Sequence, residues 1–263
     1  MQILVVNDDG IESLGIWALA AALRHAGLGE VLIVALEVEQ SGTSMALGLR
    51  QALSLRRVAA PAPAYAGIAA YALRGTPVGC VLAGMRAGLA PPPDVIVTGI
   101  NLGLNSGTNI LLSGTVGAAM MGALWGLPAM AVSQMFTGEG AMPWGTATWA
   151  AVKAFPLLER LRGHGPVVLN VNVPYLHEIG EVRGFRQTSI SDFFYGSIVE
   201  LAVDPSPDAE GRHPVALRYV RERVPAFDET TDDGAVRAGY VSLTPLVPMG
   251  AAPLDLRVAL ADL

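Results

Sequence analysis

Two adjacent aspartates are the first residues of this sequence whose type and position could do chemistry. Asp8 and Asp9 follow the apolar run 3–6 and precede Gly10, in the tetrapeptide Asn-Asp-Asp-Gly. Successive side chains of a strand point to opposite faces, so both carboxylates reach one ligand only if the chain has already turned, which Gly10 permits. Crowded carboxylates raise each other's pKa unless a cation lies between them. The pair therefore indicates a divalent metal, with a helix-capping Asp turn as the alternative.

Two neutral oxygen donors occupy comparable positions further along the chain. Ser41 lies in a Gln-Ser-Gly-Thr-Ser loop after the apolar run 31–36, and Asn101 is the first polar side chain after the run 94–100. A hydroxyl and a carboxamide both offer oxygen atoms to a metal or, as donors, bind an anion. Taken alone, each segment is also what an ordinary turn contains.

A further polar segment opens a predicted helix. Ser113, Gly114 and Thr115 precede an apolar run, and the unpaired N–H groups and positive dipole end of a helix start suit a phosphate. An ordinary helix cap is the alternative. Together with Asn101, these three residues form the predicted phosphate-binding set.

The donor types indicate which metal the site would take. Two carboxylates, a hydroxyl and a carboxamide form an all-oxygen set, which suits Mg²⁺ or Mn²⁺ better than zinc or copper. The predicted ligands of one such ion per subunit are Asp8, Asp9, Ser41 and Asn101. The four histidines are dispersed without ligand spacing, which argues against zinc.

Other phosphate-handling motifs do not fit the sequence. Gly10 stands two residues after Asp8, where a nucleophile motif of the haloacid dehalogenase type has its second aspartate. The first turn lacks the G-x-G-x-x-G pattern of a dinucleotide site, and the sequence contains no Walker A lysine loop and no H-E-x-x-H. The aspartate pair therefore needs another explanation.

The elements that must position these residues alternate along the first 174 residues. Apolar runs predict strands at 3–6, 31–36, 94–100, 129–133 and 167–173, and helical spacing predicts helices at 14–27, 76–86 and 113–125, with a fourth within 144–161. This alternation predicts an α/β fold with a doubly wound, mostly parallel, Rossmann-like sheet. Ligands of such sheets bind at the carboxyl ends of the strands, where all the candidate residues fall.

The pattern changes after residue 174. Residues 175–245 contain more charge, Gly and Pro, with strand-like pieces at 215–220 and 240–243 and no clear βαβ rhythm. We therefore expect a catalytic domain at 1–174 whose sheet is already complete. Residues 175–263 are predicted to be a β-rich extension and C-terminal oligomerisation arm packed on that domain. Residues 58–64, rich in Ala and Pro, are predicted to be a surface loop.

Composition limits the possible partners. The 263 residues are 52% hydrophobic and 15% charged, too apolar for a disordered chain, and the formal net charge of -6 offers no basic face for duplex nucleic acid. The single cysteine, Cys80, allows no internal disulfide and is predicted to be a core residue. Since no basic leader precedes the first strand, we expect a cytoplasmic protein.

One apolar stretch has the length of a membrane span. Residues 116–132 contain no charge, but Gly117, Gly122, Gly126 and Pro128 divide them. That division is typical of a buried helix followed by a buried strand, so no membrane insertion is expected.

The sequence as a whole resembles the SurE family of survival-protein nucleotidases. Collinear matching segments are ILVVNDDGI (3–11), QSGTS (40–44), RGTPVGCV (74–81), PDVIVTGINLGLNSG (93–107), SGTVGAAMMGA (113–123), LNVNVP (169–174) and GYVSLTPL (239–246). The resemblance implies that Asp8, Asp9, Ser41 and Asn101 hold the metal, the set already chosen from residue types. It also implies hydrolysis of nucleoside 5′- and 3′-monophosphates, in some members of short polyphosphate, and a homodimer or homotetramer that exchanges its C-terminal segment.

The implied reaction is metal-assisted hydrolysis, in which one of the two aspartates, Asp8 or Asp9, also takes the proton of the attacking water. Three positions depart from the family pattern: Gly79 replaces an aspartate, Met121 a glutamate and Leu112 an aromatic residue. These departures bear on substrate range. A non-catalytic nucleotide- or phosphate-binding module, or a purely structural oligomer subunit, remains the alternative.

Overall fold

The fold is built on a sheet with helices on both faces, seen in a computed structural model that describes residues 1–48, 52–138 and 140–249. The strands are β1 Gln2–Val6, β2 Glu30–Leu36, β3 Ser54–Val58, β4 Ala69–Arg74, β5 Val95–Leu102, β6 Ala129–Gln134, β7 Val168–Val173, β8 Phe185–Gln187, β9 Val199–Val203, β10 Val215–Tyr219 and β11 Val241–Leu246. The α-helices are α1 Leu14–His25, α2 Pro77–Arg86, α3 Gly114–Leu124, α4 Trp144–Ala154, α5 Leu157–Leu161 and α6 Asp232–Arg237.

Nine of the described strands form one mixed sheet in the order β3-β4-β2-β1-β5-β6-β7-β11-β8. The pairs from β4 through β7 are parallel, whereas β3 pairs antiparallel with β4, and β11 antiparallel with β7. The predicted α/β fold with a mostly parallel sheet is therefore confirmed. Parallel strands place their carboxyl ends at one edge, which is where the candidate residues must meet.

Both faces of the central strands are buried, which explains their continuous apolar runs. In β1, Ile3 and Val5 contact the core under α1 and α4, while Leu4 and Val6 contact the core under α2 and α3. Cys80 of α2 lies in the second core, fully buried as predicted, and burial raises the pKa of its thiol.

The predicted helix starts are confirmed by their caps. Thr76 Oγ1 accepts a hydrogen bond from the Gly79 N–H at 3.1 Å, and Ser113 Oγ accepts one from the Val116 N–H at 3.0 Å. Residues 116–132 divide into α3 and β6, as expected. In the described part of the chain, no helix has the length and apolar character needed to cross a membrane.

Two strands between residues 54 and 74 were not predicted. β3 is an edge strand with the sequence Ser-Leu-Arg-Arg-Val, most of it exposed, and β4 is rich in alanine. Alanine and arginine carry little β-propensity, so neither run gives the alternation or apolar length that marks a strand. The loop predicted at 58–64 follows β3 and includes the start of a short 3-10 turn, Pro63–Tyr65.

The C-terminal region contributes to the main sheet, so the expectation that the sheet is complete by residue 174 is wrong. β11 pairs with β7 along five residue pairs, and β8 lies beyond β11. β9 and β10 instead form a separate antiparallel hairpin, and every residue of β10 is exposed. Within the described residues, the β9–β10 hairpin is therefore the candidate for the predicted oligomerisation arm. The predicted domain boundary at residue 174 stays a prediction.

Candidate metal and phosphate site

The aspartate pair lies at a sharp turn after β1. Gly10 has a φ of 94°, and the Asn7 side chain donates a hydrogen bond to the Gly10 carbonyl at 2.8 Å. The Ile11 N–H binds the Leu36 carbonyl at 2.7 Å, which ties the turn to the end of β2. The chain has thus left the strand at Asp8 and Asp9, as the sequence required.

Asp8 is buried against the start of α3. It is 2% exposed, its Oδ2 accepts the Thr115 N–H at 3.0 Å, and its Oδ1 accepts the Thr115 hydroxyl. A Cβ on Gly114 would lie 2.7 Å from Asp8 Oδ2, so the close approach requires glycine there. An anionic side chain at this position is favoured by the helix dipole, while burial raises its pKa.

The Asp9 carboxylate has fewer hydrogen-bond partners than that of Asp8. Its Oδ2 is buried and accepts no hydrogen bond from the described part of the chain. Burial, and then the neighbouring charges of Asp8 and Glu39, raise the pKa of Asp9 to about 7, against a backbone hydrogen bond from Leu102 that lowers it. A buried carboxylate oxygen without a partner is costly unless a cation or a proton compensates it.

Asn101 reaches the site because β5 is irregular. The register of β5 against β6 shifts between Thr98 and Asn101, and a Cβ on Gly99 would lie 2.2 Å from the Val132 carbonyl oxygen. β5 therefore continues past the predicted end at residue 100, with Asn101 inside the strand beyond the bulge. Its Nδ2 donates to the Gly103 carbonyl at 2.8 Å, which orients the amide.

The Thr115 hydroxyl joins the two strand ends. Besides its contact with Asp8, Thr115 Oγ1 lies 3.2 Å from Asn101 Oδ1. Both donors of Thr115 are thus directed at side chains predicted to bind a metal. The phosphate-binding role of Asn101, Ser113, Gly114 and Thr115 stays a prediction, and for Gly114 and Thr115 the visible contact is with Asp8.

Ser41 lies at the same edge but is exposed. Its hydroxyl donates to Glu39 Oε1 at 2.8 Å, and the adjacent Gln40 N–H binds the Asp8 carbonyl at 2.9 Å. The loop after β2 is therefore fixed against the aspartate turn, although the Ser41 side chain contacts none of the other predicted ligands.

A cavity of about 800 Å³ opens at this edge, a volume suited to a small organic ligand. Of the predicted residues, the cavity is lined by Asp8, Ser41, Asn101 and Ser113. Its other walls include Leu112, Phe136, Tyr195, Tyr219 and Arg237. Among the three departures from the family pattern, Leu112 lines the cavity, whereas Gly79 and Met121 pack in α2 and α3 near apolar side chains.

Sequence reasoning missed a polar network beneath the cavity. Asn105 lines the cavity, and its carbonyl accepts hydrogen bonds from Asn170 at 2.8 Å and Asn172 at 2.9 Å. The Asn105 side chain donates to Ser133 Oγ at 2.8 Å. Two asparagines inside the fully buried β7 were the available signal, because a buried amide needs hydrogen-bond partners.

The residues present fit a hard divalent cation. The candidate donors are all oxygen atoms, one of them has no partner, and both aspartates have raised pKa values that an adjacent cation would lower. Over residues 1–48, 52–138 and 140–249, no three His, Cys, Asp or Glu side chains cluster as metal ligands. An ion at this site would therefore depend on Ser41 and Asn101 as well as on the two carboxylates.

Comparisons with known proteins agree by sequence and by structure. The family model described as "Survival protein SurE" matches residues 3–197. A "5′-nucleotidase SurE" of Synechococcus sp. (strain JA-3-3Ab) is 40% identical, covering 94% of this chain and 92% of the relative. One of Xanthomonas euvesicatoria pv. vesicatoria (strain 85-10) is 39% identical, covering 94% and 89%. The crystal structure of the SurE protein from Aquifex aeolicus has a TM-score of 0.76 at 29% identity, covering 100% of this chain and 99% of that one.

Proposed function

Because this chain belongs to the SurE family, we propose that it is a divalent-metal-dependent phosphomonoesterase that hydrolyses nucleoside monophosphates to nucleoside and phosphate. The relatives that match 94% of the chain are 5′-nucleotidases, and this activity makes the protein a hydrolase of phosphoric monoesters. The proposal extends to 3′- as well as 5′-monophosphates and to short polyphosphate.

One observation carries the proposal. The Thr115 hydroxyl contacts both Asp8 and Asn101, so an acid after β1 and an amide at the end of β5 converge at the cavity. The neighbouring Asp9 has one oxygen, Oδ2, that accepts no hydrogen bond from the described residues. A purely structural turn would satisfy its buried carboxylates within the protein. The unpaired Asp9 Oδ2 supports a site for one Mg²⁺ or Mn²⁺ per subunit, held by Asp8, Asp9, Ser41 and Asn101.

Such an ion would polarise a phosphoryl oxygen and lower the pKa of a bound water. The chain supplies positioning: Thr115 orients the Asp8 carboxylate through two donors, and Gly114 leaves room for that approach. The Asn105 backbone is fixed by the asparagines of β7, and the residue lines the cavity where a phosphate would lie.

Asp9 is the better placed of the two aspartates to take a proton from water. Both oxygens of Asp8 already accept hydrogen bonds from Thr115, whereas Asp9 Oδ2 accepts none from the described residues. A carboxylate with a free lone pair can receive a proton without first breaking a hydrogen bond. We therefore assign the proton-accepting role to Asp9 within the proposal.

The test is hydrolysis of p-nitrophenyl phosphate, 5′-AMP, 3′-AMP and tripolyphosphate in EDTA, followed by addition of Mn²⁺ or Mg²⁺. We expect phosphate release with either ion and none in EDTA, because the carboxylates alone carry no Lewis acid. Full activity in EDTA would refute the metal dependence. Binding of AMP without phosphate release under every condition would identify a non-catalytic nucleotide-binding protein instead.

A homodimer or homotetramer is part of the same proposal. Among the described strands, β9 and β10 pair with each other and with no other strand, and the hairpin exposes large apolar side chains: Leu201, Val203, Val215, Leu217 and Tyr219 are 54–66% exposed. An isolated two-stranded hairpin is marginal in water, so another subunit is the natural surface for it to pack on. A cytoplasmic location, consistent with a single buried cysteine, completes the proposal.

Leu201 and Leu217 lie directly opposite each other in the hairpin and provide the test. The double variant Leu201→Asp with Leu217→Asp should shift the protein to monomer in light scattering, since two charges cannot be buried in an apolar interface. Leu14→Asp, on an exposed leucine of α1, is the matched control and should keep the oligomer. A wild-type monomer at micromolar concentration would contradict the proposal.

A further inference from the structure

A second aspartate pair is buried far from the first in sequence. Asp232 and Asp233 begin α6, and both are 0% exposed. Helix capping does not explain them, because Thr231 is the N-cap and accepts the Gly234 N–H at 3.2 Å. Apart from one bond to the Asp233 N–H, their carboxylates accept hydrogen bonds from two other segments of the chain.

Those two segments meet at the aspartates. Asp232 Oδ2 accepts the Gly107 N–H at 2.9 Å, and its Oδ1 accepts the Ser191 N–H at 3.0 Å. Asp233 Oδ1 accepts the Ser106 hydroxyl at 2.9 Å, and its Oδ2 accepts the Ser191 hydroxyl at 2.6 Å. The loop after β5 is therefore hydrogen-bonded to two ionisable side chains at the start of α6.

The packing leaves this loop little freedom. A Cβ on Gly107 would lie 2.5 Å from the Phe193 carbonyl oxygen and 2.8 Å from Ser191 Oγ. Two residues earlier, the Asn105 N–H binds Asn172 Oδ1 at 3.0 Å. The loop is thus attached to β7 at Asn105 and to α6 at the next two residues, and Asn105 also lines the cavity.

We propose that Asp232 and Asp233 are positioning residues for the reaction, which hold Ser106 and Gly107 so that Asn105 keeps its place in the cavity wall beside the phosphate of the substrate. The inference rests on the proposed function. Neither aspartate lines the cavity, so both act through the loop. The last helix of the described chain is thereby part of the active-site scaffold.

The two aspartates should respond differently to substitution by asparagine, because their hydrogen-bond donors are of different types. Both oxygens of Asp232 accept backbone N–H groups, which cannot reverse their polarity, so the amide of Asp232→Asn must face a donor in either orientation. The partners of Asp233 are hydroxyls, which can rotate and accept a hydrogen bond from the amide of Asp233→Asn. The isosteric change should therefore disturb the loop at Asp232 far more than at Asp233.

The experiment measures kcat and KM for 5′-AMP, and calorimetric Kd values for inorganic phosphate and Mn²⁺, in the full-length variants. For Asp232→Asn we expect KM and the phosphate Kd to rise at least five-fold, with the Mn²⁺ Kd within two-fold of wild type. Asp233→Asn should change KM less than three-fold. Asp228→Asn removes an exposed carboxylate that accepts hydrogen bonds from Thr230, and it should match wild type.

A merely structural role would lower the fraction of folded protein and the melting temperature, but would leave KM and phosphate affinity of the folded molecules unchanged. That result for a folded Asp232→Asn variant overturns the inference. If Asp232→Asn does not fold, Ser106→Ala removes one hydroxyl from the loop side, and an unchanged KM and phosphate Kd would overturn it equally. A wild-type protein that is inactive with Mn²⁺ refutes the proposed function instead, so the two failures are distinguishable.

Discussion

The sequence contains two Asp-Asp pairs, Asp8-Asp9 and Asp232-Asp233, whose surroundings differ in the hydrogen bonds that they offer. Asp232 and Asp233 direct every carboxylate oxygen at an N–H or hydroxyl donor. Asp8 is satisfied by Thr115, but Asp9 retains a buried oxygen that the described protein leaves unpaired. The first kind of pair holds protein segments together, and the second is suited to an exogenous cation. Identical dipeptides thus differ in how far the surrounding donors satisfy their carboxylates.

The largest loss of activity should come from neutralising Asp8 or Asp9. Asp8→Asn or Asp9→Asn removes one of two negative charges facing the proposed ion, and we expect kcat/KM to fall about 1000-fold, or ~4 kcal/mol. Steady-state assays with 5′-AMP and saturating Mn²⁺ measure this. Losses below ten-fold in both variants would place the site elsewhere and erase the distinction between the pairs.

Stabilisation by metal sharpens the same comparison. At a Mn²⁺ concentration 100 times its Kd, binding to the folded state alone adds about 2.7 kcal/mol to the free energy of unfolding. Asp233→Asn should keep this gain, and Asp9→Asn should lose most of it, in denaturant unfolding with and without Mn²⁺. Equal gains in the two variants would show that the ion does not bind at Asp9.

Gly114→Ala tests the contact that fixes Asp8. The added Cβ would lie 2.7 Å from Asp8 Oδ2 and 2.9 Å from Pro77 Cγ, so the carboxylate or the helix must shift. We expect kcat/KM to fall roughly 30-fold and stability to fall by about 1–3 kcal/mol, the range for overpacking. Gly145→Ala has open space around its Cβ and is the control. Wild-type activity in Gly114→Ala would mean that Asp8 need not be held in place.

The smallest effect is expected for Ser41→Ala. Ser41 contributes a neutral oxygen, is exposed, and contacts Glu39 rather than the other predicted ligands, so water can replace it. We expect the Mn²⁺ concentration for half-maximal activity to rise roughly 3- to 5-fold, which is less than the roughly 10- to 100-fold typical of residues that orient metal ligands, because water can take the place of the hydroxyl. A loss as large as that of Asp9→Asn would show that charge is not what distinguishes the ligands.

The sequence was most informative where polar residues directly follow a buried strand. Asp8 and Asn101 follow buried apolar runs, and parallel pairing of β1 with β5 brings such residues together without further information. Thr115 was predicted at the correct helix start, but its contact with Asp8 depends on a helix-to-sheet distance that no periodicity encodes.

The missed residues belong to long-range contacts. Nothing local to Asp232 indicates that Gly107 lies within hydrogen-bond distance, because in the sequence alone Thr-Asp-Asp-Gly has the composition of an ordinary helix start with acidic residues in its first turn. The bulge at Gly99 likewise depends on the Val132 backbone of the neighbouring strand. Such features arise from packing between segments, and a single sequence reports them only as polar residues inside apolar runs.

The position of β11 has a consequence for how the chain folds during synthesis. Until residues 241–246 leave the ribosome, β7 is an open edge whose N–H and C=O groups could pair with a strand of another chain. α6, at residues 232–237, immediately precedes this strand, so a nascent chain that has completed only β1 through β7 also lacks the hydrogen bonds from α6 to the loop after β5. The strand that covers the edge of β7 and the helix that holds this loop are therefore added one after the other, once β1 through β7 have been made.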